Sequence, residues 1–379
     1  MTYITVKQPP KYHQMTLEEF LFEAEIKPQI ISLNTTNTRT YEVKNINSKR
    51  PYGLNIDELI IKLIQFNNST KELRDKPRKS LYREFYIPKK SGGLRKIDAP
   101  EPELMDALRR LKTIFENDFH VLYHTSAFAY IRKRSTIDAV KRHQANESKW
   151  FGKYDLSNFF GNTSLEFVLK MFSMIYPFSE IMKHDIGKKE LSQALELAFL
   201  DGGLPQGTPI SPVITNVMMI PIDFKLSNGL REYNNQHYVY TRYADDFLIS
   251  SKYTFKFKEI EQFIIDTLNS FEAPFTINSK KTRYGSSAGS NWNLGVMLNK
   301  DNQITVGHKK KRQFQAMLAS YVMDKQNGKP WDVSDVQIME GYRNYYRMVE
   351  GNSIDKLVEH IGNKFNVNIV ELIRSDLKS

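Results

Sequence analysis

Hydrophobic and polar positions alternate most legibly between residues 81 and 100, where LYREFYIPKKSGGLRKIDAP sets two extended runs around a Gly-Gly turn. That pattern predicts a β-hairpin with a basic tip. A second strand–turn–strand is predicted in YVYTRYADDFLISS, where Tyr238, Val239 and Tyr240 precede the turn and Phe247, Leu248 and Ile249 follow it. WFGKYDLSNFF (150–160) reads as a buried strand ending at a polar turn, and NWNLGVML (291–298) as a short strand. Helical spacing takes over elsewhere. Ile56, Leu59, Ile60, Leu63 and Ile64 share one face, with Asn55 as a cap. Leu104, Leu108, Leu111 and Phe115 share another behind Pro102, and Ile260, Phe263, Ile264, Leu268 and Phe271 a third.

TLEEFLFEAE near the N-terminus, residues 137–147 and roughly 164–200 also read as helical. So does the apolar run after DGGLPQGTPISP. The tail from GHKKKRQFQAML to about residue 375 is largely helical, and LNTTNTRTYEVKNINSKRPYG is a polar loop. Strands and helices in this order predict an α+β fold, an antiparallel sheet backed by helices with a helical appendage.

Composition narrows the class. The chain has 379 residues, 40% of them hydrophobic and 12% aromatic, enough for a substantial core. It has no cysteine, which excludes disulfides, zinc–thiolate sites and iron–sulfur clusters and suits a reducing cytoplasm. MTYITVKQPPKYHQM lacks the apolar stretch of a signal peptide, and no run approaches about 18 apolar residues, so no membrane association is expected. Net charge is +11, and residues 71–150 hold 19 Lys and Arg against 11 Asp and Glu. Such a surface is either solvated or made for a polyanion.

Asp245 and Asp246 stand side by side at the second turn. Aspartate favours turns on its own account. Two carboxylates held at the tip of a half-buried hairpin also repel each other, and a hard divalent cation relieves that. Asp155, at the end of the 150–155 strand, could supply a further carboxylate, as two-ion phosphoryl transfer requires; it could equally be a strand-end turn residue.

Asp155 beside Phe159 and Phe160, LPQGTPISP at 204–212 and YADD at 243–246, in that order, resemble the A, B and C motifs of reverse transcriptases. IPKKSGGLRKIDAP (87–100), AFAYIRKRST (127–136), NSKKTRYG (278–285) and NLGVML (293–298) resemble the fingers blocks, the D motif and the primer-contacting hairpin, so the likeness spans roughly residues 80–320. It implies a right-hand polymerase fold: an N-terminal helical extension (1–70), fingers (71–150), a palm (151–300, with finger elements near 161–200) and a helical thumb (301–379).

It also implies roles. Asp155, Asp245 and Asp246 would hold two Mg²⁺ ions, with Mn²⁺ as a substitute. Lys89 and Arg95 would clamp the dNTP triphosphate. Phe160 would press on the sugar and reject a ribose hydroxyl, or simply pack. Gln206 and Gly207 would border the nascent base pair, Gly permitting close backbone approach. Lys281 would act as general acid, with Lys280 as the alternative. Tyr243 and Ala244 would touch the primer end. Lys309, Lys310 and Arg312 would follow template–primer phosphates. The Tyr342–Arg347 segment suits RNA contact or thumb packing.

NLGVMLNKDNQITVGHKKKR departs from the VTG signature usual in retron enzymes. The resemblance therefore favours a defence-associated bacterial enzyme opposing phage, with a retron enzyme making RNA-linked single-stranded DNA as the alternative. Either would have a non-coding RNA template, a DNA product, and an effector protein or second copy as further partner. An RNA-binding scaffold with a vestigial polymerase site is the reading from another class; RNA-templated RNA synthesis is disfavoured by Phe160.

Overall fold

The computed structural model describes residues 54–89, 92–233, 237–289 and 294–378. The helix expected in TLEEFLFEAE and the polar loop at 33–53 lie outside them. Helix α1 (Ile56–Ser69) starts at Asn55, whose side chain accepts from the Glu58 amide, and buries Leu59, Ile60 and Leu63 as its spacing predicts. After the short α2 (Lys71–Asp75), β1 (Tyr82–Pro88) and β2 (Leu94–Pro100) form the expected hairpin, with Ile87 opposite Arg95. Gly92 and Gly93 both take positive φ at its tip, where glycine carries no Cβ penalty.

Helix α3 (Pro102–Thr113) opens on Pro102, and α4 (Thr136–Ala145) on a reciprocal Ser135–Asp138 capping box. Strand β3 (Trp150–Asp155) then leads into the single turn α5 (Phe159–Asn162). The predicted helix over 164–200 is three pieces: α6 (Leu165–Phe172), α7 (Phe178–Ile181) and α8 (Asp185–Glu196). Pro177 cannot continue a helix from α6, so the pattern breaks there.

Helices α9 (Ser211–Met218) and α10 (Ile220–Glu232) precede β4 (Val239–Tyr243) and β5 (Asp246–Ser251); α11 (Phe257–Ser270) and β6 (Arg283–Ser286) follow. The four strands form one antiparallel sheet in the order β4-β5-β3-β6. Residues 291–293 of the strand expected over 291–298 lie outside the described residues; Leu294 and Gly295 both take left-handed φ, and Met297–Leu298 (β7) pairs with Ile304–Thr305 (β8). Helices α12 (His308–Gln326), α13 (Val333–Glu350), α14 (Asn352–Phe365) and α15 (Ile369–Asp376) complete the tail.

One continuous core runs from Leu59 to Phe275 and packs both the helices and the underside of the sheet. The tail has its own core, from Val306 to Ile373. The two meet at a small cluster of Val140, Phe151, Leu248, Val296 and Leu298, against which Tyr345 and Val349 of α13 pack. Thr305 Oγ1 and the Val306 amide both donate to Glu350 Oε1, and Lys311 pairs with Glu350 at 2.8 Å, so the β7–β8 hairpin and the tail are clasped together. Among the described residues no helix is long and apolar enough to cross a membrane.

Candidate active site

The sheet register places Asp155 directly opposite Asp246, and the two-residue turn Ala244–Asp245 closes β4 onto β5. Ala244 sits in the left-handed region at φ 56°. A non-glycine residue holds that conformation only where its surroundings fix it. Two bonds do so: Arg242 Nη1 donates to the Ala244 carbonyl at 3.2 Å, and the Leu156 amide donates to the Asp245 carbonyl at 3.1 Å. The second bond ties the turn to the residue after Asp155.

Arg242 is fully buried. Its Nε and Nη2 each lie 2.8 Å from an Asp223 carboxylate oxygen, and Tyr240 donates to the same carboxylate at 2.7 Å. Its Nη1 also reaches Asn216 Oδ1 at 3.1 Å, and Asn216 donates to the Ala129 carbonyl. The acidic turn thus rests on a buried, charge-assisted network joining β4, α9 and α10. Sequence reasoning missed it. Its one signal was a lone arginine inside an apolar strand, a charge that needs a partner.

The three carboxylates are neighbours, but lysines hold two of them. Lys281 Nζ lies 3.1 Å from both oxygens of the buried Asp155, and Lys153 Nζ lies 2.9 Å from Asp246 Oδ2. It is Lys281, rather than Lys280, that reaches the cluster, which distinguishes the two candidate lysines. Burial, then the Asp246 charge, pushes the Asp245 carboxyl up to about 6; Asp155 adds to the rise. Burial also raises Asp246, against the pull of Lys153.

Among the described residues no group of three or more acidic or histidine side chains is arranged as a ready-made ion cage. The donor chemistry nevertheless suits a hard divalent cation: clustered carboxylates whose ionisation is opposed, and an Asp246 Oδ1 that is buried without a hydrogen-bond partner.

The LPQG turn lies beside this cluster. The Leu204 amide donates to the Phe160 carbonyl at 2.9 Å, and a Cβ on Gly203 would lie 2.2 Å from the Gly161 carbonyl oxygen, so these backbones touch. Phe160 is half-buried and meets Phe159 edge-on at 5.5 Å. On the other side the Asp98 amide of β2 donates to the Gln206 carbonyl at 3.0 Å. Gly207 takes φ 125°, and a Cβ there would meet the Asp98 carbonyl at 3.0 Å. The close approach that Gly207 permits is therefore to the β1–β2 hairpin.

Arg95 and Lys89 are exposed on that hairpin; the Lys89 amide closes the tip by donating to Gly93. Tyr243 is half-buried beside the turn. Lys309 and Arg312 are exposed at the start of α12, whereas Lys310 donates to the Gly295 carbonyl at 2.6 Å. In the Tyr342–Arg347 segment packing prevails: Tyr346 is buried, Arg343 pairs with Glu340 and Arg347 with Asp355, leaving Tyr342 exposed.

Among solved structures, apo telomerase from Candida tropicalis overlaps 84% of this chain and 66% of its own length, at 12% identity and a TM-score of 0.43. The Retron Ec83 reverse transcriptase of Escherichia coli is 27% identical over 290 residues, covering 74% of this chain and 87% of its own. The Retron Ec73 reverse transcriptase of the same species is 30% identical over 213 residues, 55% of this chain and 65% of its own. The family model "Reverse transcriptase (RNA-dependent DNA polymerase)" matches residues 87–315, which takes in the hairpin tip and β2, the LPQG turn, all three aspartates and the start of α12. The chain belongs to the reverse transcriptase family and has its right-hand polymerase fold and RNA-directed DNA polymerase activity.

Proposed function

We propose that the protein copies an associated non-coding RNA into DNA as a retron-type enzyme in antiphage defence, in the cytoplasm. The observation that carries the chemistry is the register pairing of Asp155 with Asp246 beside the fixed Asp245 turn. The departure from the VTG signature favours a different defence-associated family. The names of the relatives at 27% and 30% identity support the retron alternative, and we adopt it.

In this reading Asp155, Asp245 and Asp246 hold Mg²⁺, which supplies charge stabilisation at the transferring phosphate. Residues 71–150 serve as fingers, 151–300 as palm and 301–379 as thumb. Arg95 and Lys89 clamp the triphosphate, Phe160 and the Gln206–Gly207 turn frame the nucleotide, and Tyr243 and Ala244 meet the primer end. Lys281, held at Asp155, is the proton donor to the leaving group. Lys309, Lys310 and Arg312 follow the duplex backbone. Of the three lysines in a row at this helix N-terminus Lys311 is paired with Glu350; Lys309 and Lys310 oppose the helix dipole, a cost that polyanion binding would offset.

The test is incorporation of labelled dNTPs by the purified protein with its co-purifying RNA. Asp245→Ala with Asp246→Ala is expected to lower synthesis more than about 100-fold, the upper end of what even supporting residues of metal sites cost. Synthesis equal to wild type overturns the assignment. In the same assay Phe160→Val should raise rNTP use relative to dNTP; an unchanged ratio removes Phe160 from sugar selection.

A further inference from the structure

Lys153 has no role in the polymerase reading, yet it touches the acidic cluster. Its Nζ lies 2.9 Å from Asp246 Oδ2, and both side chains are partly buried. The other oxygen of the same carboxylate, Oδ1, is buried with no hydrogen-bond partner. The fold therefore treats the two oxygens of one side chain differently.

Sheet geometry explains the pairing. Side chains two apart on a strand share a face, so Lys153 and Asp155 rise from the same side of β3. Asp246 stands opposite Asp155 and Leu248 opposite Lys153, which makes Asp246 the diagonal neighbour of Lys153. A long side chain spans such a diagonal. On the other flank of β3, Arg283 stands opposite Lys153, but its Nη1 donates to the Lys280 and Thr282 carbonyls. The register of β3 against β5 thus selects the partner of Lys153. Both ends of the pair sit on paired strands, which hold a side chain more precisely than loops do.

The consequence is one of coordination. Ca²⁺ accepts about six to eight oxygens and takes a carboxylate through one oxygen or both. The smaller Mg²⁺ demands a near-octahedral shell, which the narrow bite of a two-oxygen carboxylate fits badly.

We infer that Lys153 is a positioning residue: by holding Oδ2 it leaves Asp246 only Oδ1 to offer a divalent cation, and so biases the site toward Mg²⁺ over Ca²⁺. This rests on the metal-binding reading above and deepens it. The Lys153 ammonium also reduces the negative charge of the cluster, which weakens every divalent ion. The withheld oxygen weakens further the ion that would use both.

The experiment titrates Mg²⁺ and Ca²⁺ separately into the full chain, freed of nucleic acid, by calorimetry. Asp155→Ala marks the site, since heat that survives in that variant arises elsewhere. Lys153→Met keeps a long side chain without the charge. It should tighten Ca²⁺ about tenfold and Mg²⁺ no more than about threefold. Lys153→Ala should shift the ratio the same way, which keeps the test valid if one variant folds poorly. In an Asp246→Asn background Lys153→Met should leave the ratio of the two Kd values unchanged, because the carboxylate through which Lys153 acts is gone.

An equal shift of the ratio in the Asp246→Asn background overturns the inference, making Lys153 a charge with no hold on Asp246. If wild type shows no cation binding that Asp155→Ala removes, the metal-binding reading fails and the inference falls with it. Binding that Asp155→Ala removes, with a ratio unchanged in Lys153→Met and Lys153→Ala, overturns the role of Lys153 alone.

Discussion

At Asp245, burial and two neighbouring carboxylates all work against ionisation. The folded chain therefore holds a proton there more readily than the unfolded chain does. The sign follows from linkage: with a carboxyl raised from 3.8 to about 6, the contribution of this group to the stability of the metal-free protein is fully present below the lower value and is lost as pH climbs through the upper one. Asp245→Asn should consequently raise Tm in EDTA at neutral pH by about 2–4 °C while abolishing synthesis, and flatten the decline in Tm across that window. Thermal melts at several pH values check this; a variant melting below wild type at neutral pH would show that the charge is compensated.

Asp245 and Asp246 were legible in the sequence because a tight turn between apolar strands leaves few places for two charges to go. Lys153 was not. It is one of 54 basic residues in the chain, and only the register of β3 against β5 brings it to Asp246.

Among the elements, the β4–β5 hairpin depends on a charge pair with no access to water. Removing one partner of such a pair strands the other, at a cost of about 3–5 kcal/mol. Arg242→Met should show that loss in urea denaturation, and adding Asp223→Leu should recover most of it. A single variant within about 1 kcal/mol of wild type would mean the pair does not brace the turn. The hairpins and amphipathic helices could be read from their periods, since burial on one face imposes a repeat of two or of 3.6 residues. The Arg242–Asp223 pair has no repeat; its partners lie 19 residues apart and meet only when β4 packs on α10. The breaks at Pro177 and Leu294–Gly295 are local backbone events that shorten elements without changing their order.

For the whole molecule, the +11 charge and the exposed Lys309 and Arg312 predict salt-sensitive RNA binding. Log Kd plotted against log salt should be linear, and replacing both residues by Ala should reduce its slope by about 1–2, near 0.9 for each duplex phosphate no longer neutralised. Affinity that ignores ionic strength would remove RNA from the basic surface.

The contact of Gly203 with Gly161 bears on how such an enzyme can be altered. There main chain meets main chain beside the proposed nucleotide site, with no room for a Cβ on Gly203. The spacing between the Phe160–Gly161 turn and the start of the LPQG turn is thus a fixed dimension, like the throat of a gauge. Side chains around it can be exchanged to retune which nucleotide or template is preferred while the aperture itself stays the same width.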